Sequence, residues 1–206
     1  MINIAAVILA GGKSSRMGTD KAFLTLGEHK MIEYVLNELT IIFKNILIVS
    51  NQDEKFSNLG VPVVKDIIPN CGPLSGIHSG LINAKKDYIF VTGCDMPFIS
   101  GSLIQYMIDK LKNGGFDVLI PKVGNYMEPL FAIYSKMCIK PIEKNLAFGK
   151  LKVLDFLPEV QVGYISKEEI SSLVDLEKVF ININTPKELV HARKLIPEYK
   201  KSNRCM

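Results

Sequence analysis

An α/β architecture with a largely parallel central sheet is predicted by three observations on this 206-residue chain. Short apolar runs recur along it, stretches with helical periodicity separate them, and the segments rich in glycine or ending in a carboxylate directly follow apolar runs. Sheets of this kind carry helices on both faces and bind ligands at the carboxyl ends of their strands.

The run 4–10 reads as the first strand: it has no basic residues ahead of it and passes straight into Gly-Gly-Lys-Ser-Ser-Arg, unlike a signal peptide. A helix is predicted over 31–43, where Met31, Tyr34, Val35, Leu39, Ile42 and Phe43 share a face. Strands follow at 45–49, 61–64 and 88–91, and a second helix over 102–111 carries Leu103, Tyr106, Met107 and Leu111. Further strands are predicted at 118–120 and 130–134, with flexible loops at 114–125 and 148–152. The segment 180–184 alternates like a strand, with Ile181 and Ile183 toward the core and Asn182 and Asn184 together on the other side. A helix then starts, with Thr185 as N-cap, Pro186 as first helical residue and Glu188 as capping-box partner.

Length points to one domain over 1–197, at about 150 residues per domain, followed by a basic tail over 198–206 without apolar pattern that is expected to be disordered. With 48% hydrophobic and 22% charged residues, the chain is an ordinary globular protein able to build a core. Its net charge of +4 owes three charges to Lys200, Lys201 and Arg204, so the body lacks the basic face that a nucleic acid requires. Cysteines at 71, 94, 138 and 205 form no CxxC pair, and three histidines (His29, His78, His191) do not complete a zinc site, so reduced thiols and a cytoplasmic location are expected. No apolar run reaches the roughly 18 residues of a membrane span, and no membrane association is expected.

Three segments could carry chemistry. The first, 9–22, fits neither GxxxxGK[ST] nor GxGxxG, yet Gly11 and Gly12 free backbone N–H groups to face a concavity while Arg16 and Lys21 add two cations. That suits a triphosphate; the alternative is a glycine turn followed by a solvated basic loop. The second is Tyr88-Ile-Phe-Val-Thr-Gly-Cys-Asp-Met-Pro97, an apolar strand that delivers Asp95 to the ligand-binding edge. One carboxylate suits Mg²⁺, which fills its shell with water and substrate phosphates, whereas the helix-cap role open to Asp95 could equally fall to Ser100 or Ser102. The third is Asp66 with the stretch 70–80, whose glycines at 72, 76 and 80 either let a flat base approach the backbone or serve turns and helix packing.

Together, LAGGKSSRMGTDKA at 9–22, GPLSGI at 72–77, CDMP at 94–97 and FININTP at 180–186 give the chain a resemblance to the molybdenum cofactor guanylyltransferases, within the wider nucleotidyltransferases. The resemblance implies a Rossmann-like, three-layer nucleotidyltransferase fold with a mostly parallel central sheet. It also implies a reaction that joins GMP from GTP to molybdenum-bearing molybdopterin and releases pyrophosphate. By the same resemblance, Leu9, Ala10, Gly11, Gly12, Lys21, Asn51, Asp66, Gly76 and Asp95 contact GTP, and Asp95 holds Mg²⁺. Lys21, Arg16 and Asp95 act in catalysis, and Asn182 and Asn184 receive the acceptor. Transient contact with cofactor-building proteins or with the molybdoenzymes that take the product is a further implication.

The residues agree with such chemistry. No Ser-His-Asp or Cys-His set is readable, and none is needed, because a phosphomonoester with a second pKa of about 6 is already an ionised nucleophile at neutral pH. Cytidylyl transfer to the same cofactor, nucleotidyl transfer to a sugar phosphate, and a nucleotide-binding regulatory module without turnover stay open as alternatives. The GPLSGI stretch favours guanine, and the presence of Asp95 favours an enzyme.

Overall fold

The computed structural model describes residues 2–11 and 21–203. Its strands are β1 (Ile4–Leu9), β2 (Thr25–Leu26), β3 (His29–Lys30), β4 (Ile46–Val49), β5 (Val63–Val64), β6 (Tyr88–Gly93), β7 (Val118–Val123), β8 (Tyr126–Met127), β9 (Phe131–Ser135) and β10 (Val162–Ile165). The helices are α1 (Met31–Ile42), α2 (Asp53–Phe56), α3 (Gly72–Asn83), α4 (Gly101–Gly114), α5 (Ile139–Ala147), α6 (Lys167–Ser171), α7 (Leu176–Val179) and α8 (Pro186–Asn203).

The central sheet runs β10-β7-β9-β6-β1-β4-β5, with β8 paired to β7 and β2-β3 forming a separate hairpin. All of its adjacent pairs along that order are parallel except those made by β9, which is antiparallel to β6 and β7. The mostly parallel α/β expectation therefore holds. Successive side chains of β1 point to opposite faces: Ala6 and Ile8 enter one core, with α1 and α4, and Val7 enters the other, with α3 and α5. Each fully buried aliphatic side chain of these layers contributes about 1.5–3 kcal/mol. A third cluster, of Leu26, Met31, Tyr34, Phe98, Ile183, Leu189, Ala192 and Ile196, packs α8 against the body.

Glycine lets α3 lie close to the sheet. A Cβ at Gly80 would stand 2.9 Å from the Val7 side chain, and one at Gly76 would stand 3.0 Å from that of Leu9. The stretch 72–80 is thus a packed helix, and the expectation that Gly76 admits a base is corrected: Leu9 fills its missing side-chain space.

Other expectations change too. Residues 180–184 are not a strand: in place of a ladder, Ile181 N–H donates locally to the Lys178 carbonyl at 3.2 Å and Ile183 N–H donates to the Asp95 carbonyl at 2.9 Å. The alternation is still used, since Ile183 is buried and Ile181 packs beside it. The expected loop 114–125 contains β7 and the turn of the β7-β8 hairpin. The expected tail is helical through Asn203, and Tyr199 of α8 donates its hydroxyl to the Ile99 carbonyl at 3.1 Å. The Thr185-Pro186-Glu188 cap forms as expected, with Thr185 Oγ1 accepting from Glu188 N–H and Glu188 Oε2 accepting from Thr185 N–H.

Candidate active site

Register assembles the site. Leu9 of β1 lies level with Val49 of β4 and with Gly93 of β6, and Val49 lies level with Val64 of β5. The four chains leave the sheet together, so the residues that follow, Ala10-Gly11, Ser50-Asn51, Lys65-Asp66 and Cys94-Asp95, meet along one edge despite being far apart in sequence. Backbone bonds continue just past the strands: Ala10 N–H donates to the Val49 carbonyl, Ser50 N–H to that of Val64 and Cys94 N–H to that of Leu9.

On one side of this edge, Asn51 and Asp66 bind each other twice. The Asn51 amide donates to Asp66 Oδ2 at 2.9 Å, and the Asp66 backbone N–H donates to Asn51 Oδ1 at 3.0 Å. Burial lifts the Asp66 carboxyl above the usual aspartate range, opposed by the Asn51 hydrogen bond and, more weakly, by the nearby Ser75 hydroxyl. Its other oxygen, Oδ1, is buried without a hydrogen-bond partner among the described residues. A buried acceptor left open in this way is costly until a donor arrives.

On the other side, Asp95 follows β6 and folds back over Gly93, whose absent Cβ leaves the space that Asp95 Oδ1 occupies. Ser100 caps α4 by accepting from Leu103 N–H, so Asp95 is free of that duty. Lys21 enters at the start of a short 3₁₀ turn anchored by the buried Ala22. Its ammonium donates to Asn184 Oδ1 at 2.5 Å and stands 3.9 Å from Asp95 Oδ2. Burial raises the Asp95 carboxyl above the ordinary range, the Lys21 cation pulls it down, and the charge of Glu188 pushes it up. Glu188 is more than a helix cap, since its Oε2 also accepts from Asn184 N–H at 2.6 Å.

The structure therefore brings Leu9, Ala10, Gly11, Lys21, Asn51, Asp66, Asp95, Asn182 and Asn184 to one edge of the sheet. It separates the two asparagines in role. Asn182 turns its amide to the Phe180 carbonyl at 3.3 Å, whereas Asn184 holds Lys21. Gly12 and Arg16 lie outside the described residues. Gly93 and the second bond of Glu188 were not found from the sequence. TGCDMP places Gly93 beside the carboxylate, but nothing in it shows that the side chain turns back.

Mg²⁺ fits what is present. Asp95 offers a carboxylate whose side chain is 23% exposed, at the edge and with Lys21 beyond tight ion-pair distance. No cluster of three or more acidic, histidine or cysteine side chains occurs among the described residues. A single-carboxylate donor set of this kind matches an ion that draws its remaining ligands from water and phosphate.

Residues 6–160 match the model of the MobA-like NTP transferase domain. Among curated relatives, a probable molybdenum cofactor guanylyltransferase of Pelotomaculum thermopropionicum is 45% identical over 193 residues, covering 94% of this chain and 93% of the relative. The molybdenum cofactor guanylyltransferase of Syntrophotalea carbinolica is 36% identical over 193 residues, covering 94% and 92% respectively. Among solved structures, molybdopterin-guanine dinucleotide biosynthesis protein A from Archaeoglobus fulgidus superposes with a TM-score of 0.83 at 27% identity, covering 94% of this chain and 99% of that one.

Proposed function

The chain belongs to the MobA-like NTP transferase family and is a nucleotidyltransferase; from that premise we propose that it moves GMP from GTP onto molybdenum-bearing molybdopterin. The observation that carries the reading is the Lys21 ammonium, held by Asn184 and standing 3.9 Å from Asp95 at the strand edge. A cation tied between a metal-competent carboxylate and the segment expected to receive the acceptor is where a triphosphate and a phosphomonoester would meet.

In the proposed reaction the terminal phosphate oxygen of the acceptor attacks the α-phosphorus of GTP. A P–O bond forms there, the bond from that phosphorus to the bridging oxygen of the β-phosphate breaks, and pyrophosphate leaves with the electron pair. The acceptor phosphate is ionised near neutral pH, so no protein base is needed. Mg²⁺, which Asp95 would hold, supplies neutralisation of the phosphate charge. Lys21 adds a fixed cation, with Arg16 proposed as a second; Gly11 and Gly12 are proposed to offer backbone N–H groups to the phosphates, and Leu9 and Ala10, whose backbone is engaged in the sheet, to contact GTP beside them. Asn51 and Asp66 engage the nucleoside, where the open Oδ1 of Asp66 would accept a donor from base or ribose. Asn182 faces the acceptor with a carboxamide oxygen that has no donor among the described residues.

No helix among the described residues is long and apolar enough to cross a membrane. A cytoplasmic setting, with passing contact to proteins that supply the acceptor or take the product, belongs to the same proposal. The test is incubation with molybdenum-loaded molybdopterin and each of the four nucleoside triphosphates, following pyrophosphate. GTP alone is expected to support release and to yield a product heavier by one GMP residue. Release from CTP in its place would transfer the reading to cytidylyl chemistry.

A further inference from the structure

The antiparallel strand β9 brings one more carboxylate to the active edge. Phe131, its first residue, pairs with Thr92 of β6, three positions before Asp95. The chain immediately before it, Glu128-Pro129-Leu130, therefore lies at the same edge as Asp95, on the far side of β6 from β1. Three backbone acceptors fix that segment. Glu128 N–H donates to the Pro121 carbonyl at 3.1 Å, Phe131 N–H donates to the Glu128 carbonyl at 3.0 Å, and the Tyr134 hydroxyl donates to the Pro129 carbonyl at 2.7 Å. Phe131 also packs edge-on against Phe180, with ring centroids 5.5 Å apart, so the segment borders the loop that carries Asn182.

Glu128 is half-buried, yet its side chain meets no hydrogen-bond donor or cation among the described residues. Burial alone raises its carboxyl above the ordinary glutamate range, with no opposing partner. Lys122, the one cation of the neighbouring hairpin strand, sits over the Tyr164 ring at 4.9 Å. A rigidly placed, partly desolvated carboxylate without a donor is unfavourable in the free protein, and the cost is relieved by a ligand bringing N–H groups.

Resting on the GMP-transfer reading above, we propose that Glu128 is a specificity-determining residue for the acceptor, its carboxylate receiving the adjacent N–H donors of the pterin's 2-amino-4-oxo-pyrimidine edge. Two arguments select this part of the substrates. A carboxylate repels phosphate, so Glu128 serves the end of the acceptor farthest from the transferring group. Guanine presents a similar edge, but Asn51 follows β4, three strands from β9, or about 14 Å at the usual strand spacing. One base does not bridge that span while remaining beside Asn51 and Asp66.

The experiment titrates wild type, Glu128→Gln and Glu128→Ala with two fluorescent probes, pterin and lumazine, which differ in that lumazine carries an oxo group in place of the 2-amino group. Wild type is expected to prefer pterin by about tenfold or more, the equivalent of one charge-assisted contact. Both variants should lose most of that preference, and the acceptor concentration for half-maximal rate should rise by about tenfold. GTP affinity should stay within about twofold of wild type. The melting temperature of Glu128→Gln should not fall, since the carboxylate makes no hydrogen bond or ion pair among the described residues that the substitution would break; a structural carboxylate would lower it when replaced. Equal discrimination by wild type and variants overturns the inference, as does a change in GTP-over-ITP preference, which would place Glu128 at the guanine. If wild type makes the GMP-linked product but ignores the probes' 2-amino group, this inference alone falls; if it makes no such product, the reading beneath falls with it.

Discussion

The two flanks of the active edge are built by different means. On the flank expected to hold the nucleotide, Asn51 and Asp66 each follow a parallel strand and are locked to each other by two hydrogen bonds. On the flank proposed to receive the acceptor, the segment 180–184 belongs to no sheet. It is held by one backbone bond to the Asp95 carbonyl, by the double acceptance of Glu188, and by Lys21 at Asn184. Geometry on the first flank comes from the sheet, so single substitutions there should change binding and leave positions intact. Geometry on the second comes from a helix cap, so a residue that never touches substrate can govern the site. Lys21, bonded to Asn184 and 3.9 Å from Asp95, ties this cap-held segment to the end of β6.

The largest effect is expected at the junction. Asp95→Asn should lower turnover by about 10³-fold or more, measured as pyrophosphate release at saturating substrates. Its effect on stability runs the other way. The carboxyl is raised in the folded protein, so the native state binds that proton more tightly than the unfolded chain. Stability is therefore lost as pH rises from the ordinary value of 3.8 through the raised one. An asparagine does not ionise, and Asp95→Asn should melt at or above wild type at pH 7, with the difference vanishing in acid below the ordinary value.

Lys21→Ala comes next, with a fall of about 10²-fold in kcat/KM for GTP. The same variant sharpens the pH dependence. Without Mg²⁺, burial holds the Asp95 carboxyl above the usual aspartate range. Removing the cation that pulls this carboxyl down should move its titration, followed by NMR in the absence of Mg²⁺, to higher pH, and Glu188→Gln, which removes an anion that pushes it up, should move it lower. A titration that stays fixed in both would separate Asp95 from these two charges.

Glu188→Ala should cost less, about tenfold in the acceptor requirement, because Asn184 and Thr185 lose their shared acceptor while Thr185 still caps α8. Glu188→Gln keeps an acceptor oxygen at that position and should restore most of the loss. The smallest effect on rate is expected at Gly80→Ala, where α3 packs on Val7 within β1, short of the strand's carboxyl end. The added methyl meets Val7 at 2.9 Å, so thermal melting should show destabilisation of about 1–3 kcal/mol with kcat nearly unchanged.

The sequence disclosed what local chemistry encodes. The strands 4–10, 45–49 and 88–91 were readable because they are continuous apolar runs, and the Thr185-Pro186-Glu188 start because each cap residue acts within one turn. Asp95 was readable as a carboxylate ending a buried strand. What escaped depends on contacts distant along the chain. Alternation at 180–184 reports burial of Ile183 as faithfully for a loop as for a strand, because the pattern does not say whether a neighbouring strand exists. Gly76 and Gly80 could be base-admitting or packing glycines until α3 was seen against Leu9 and Val7. The end of β7 and its turn hid inside the expected loop 114–125, and β8, just beyond it, has only two residues and so no run of its own, and the bond from Lys21 to Asn184 joins positions 163 residues apart.

Separate measurement of the two substrate affinities in two variants tests the division of the edge most directly. GTP binding, by equilibrium titration without acceptor, and the acceptor requirement, at saturating GTP, are compared for Asp66→Asn and Asn182→Ala. The expected result is reciprocal: Asp66→Asn weakens GTP by about tenfold and spares the acceptor, and Asn182→Ala raises the acceptor requirement by a similar factor and spares GTP. Loss of GTP affinity in Asn182→Ala, or of acceptor affinity in Asp66→Asn, would contradict a site split between the sheet-built flank and the cap-held one.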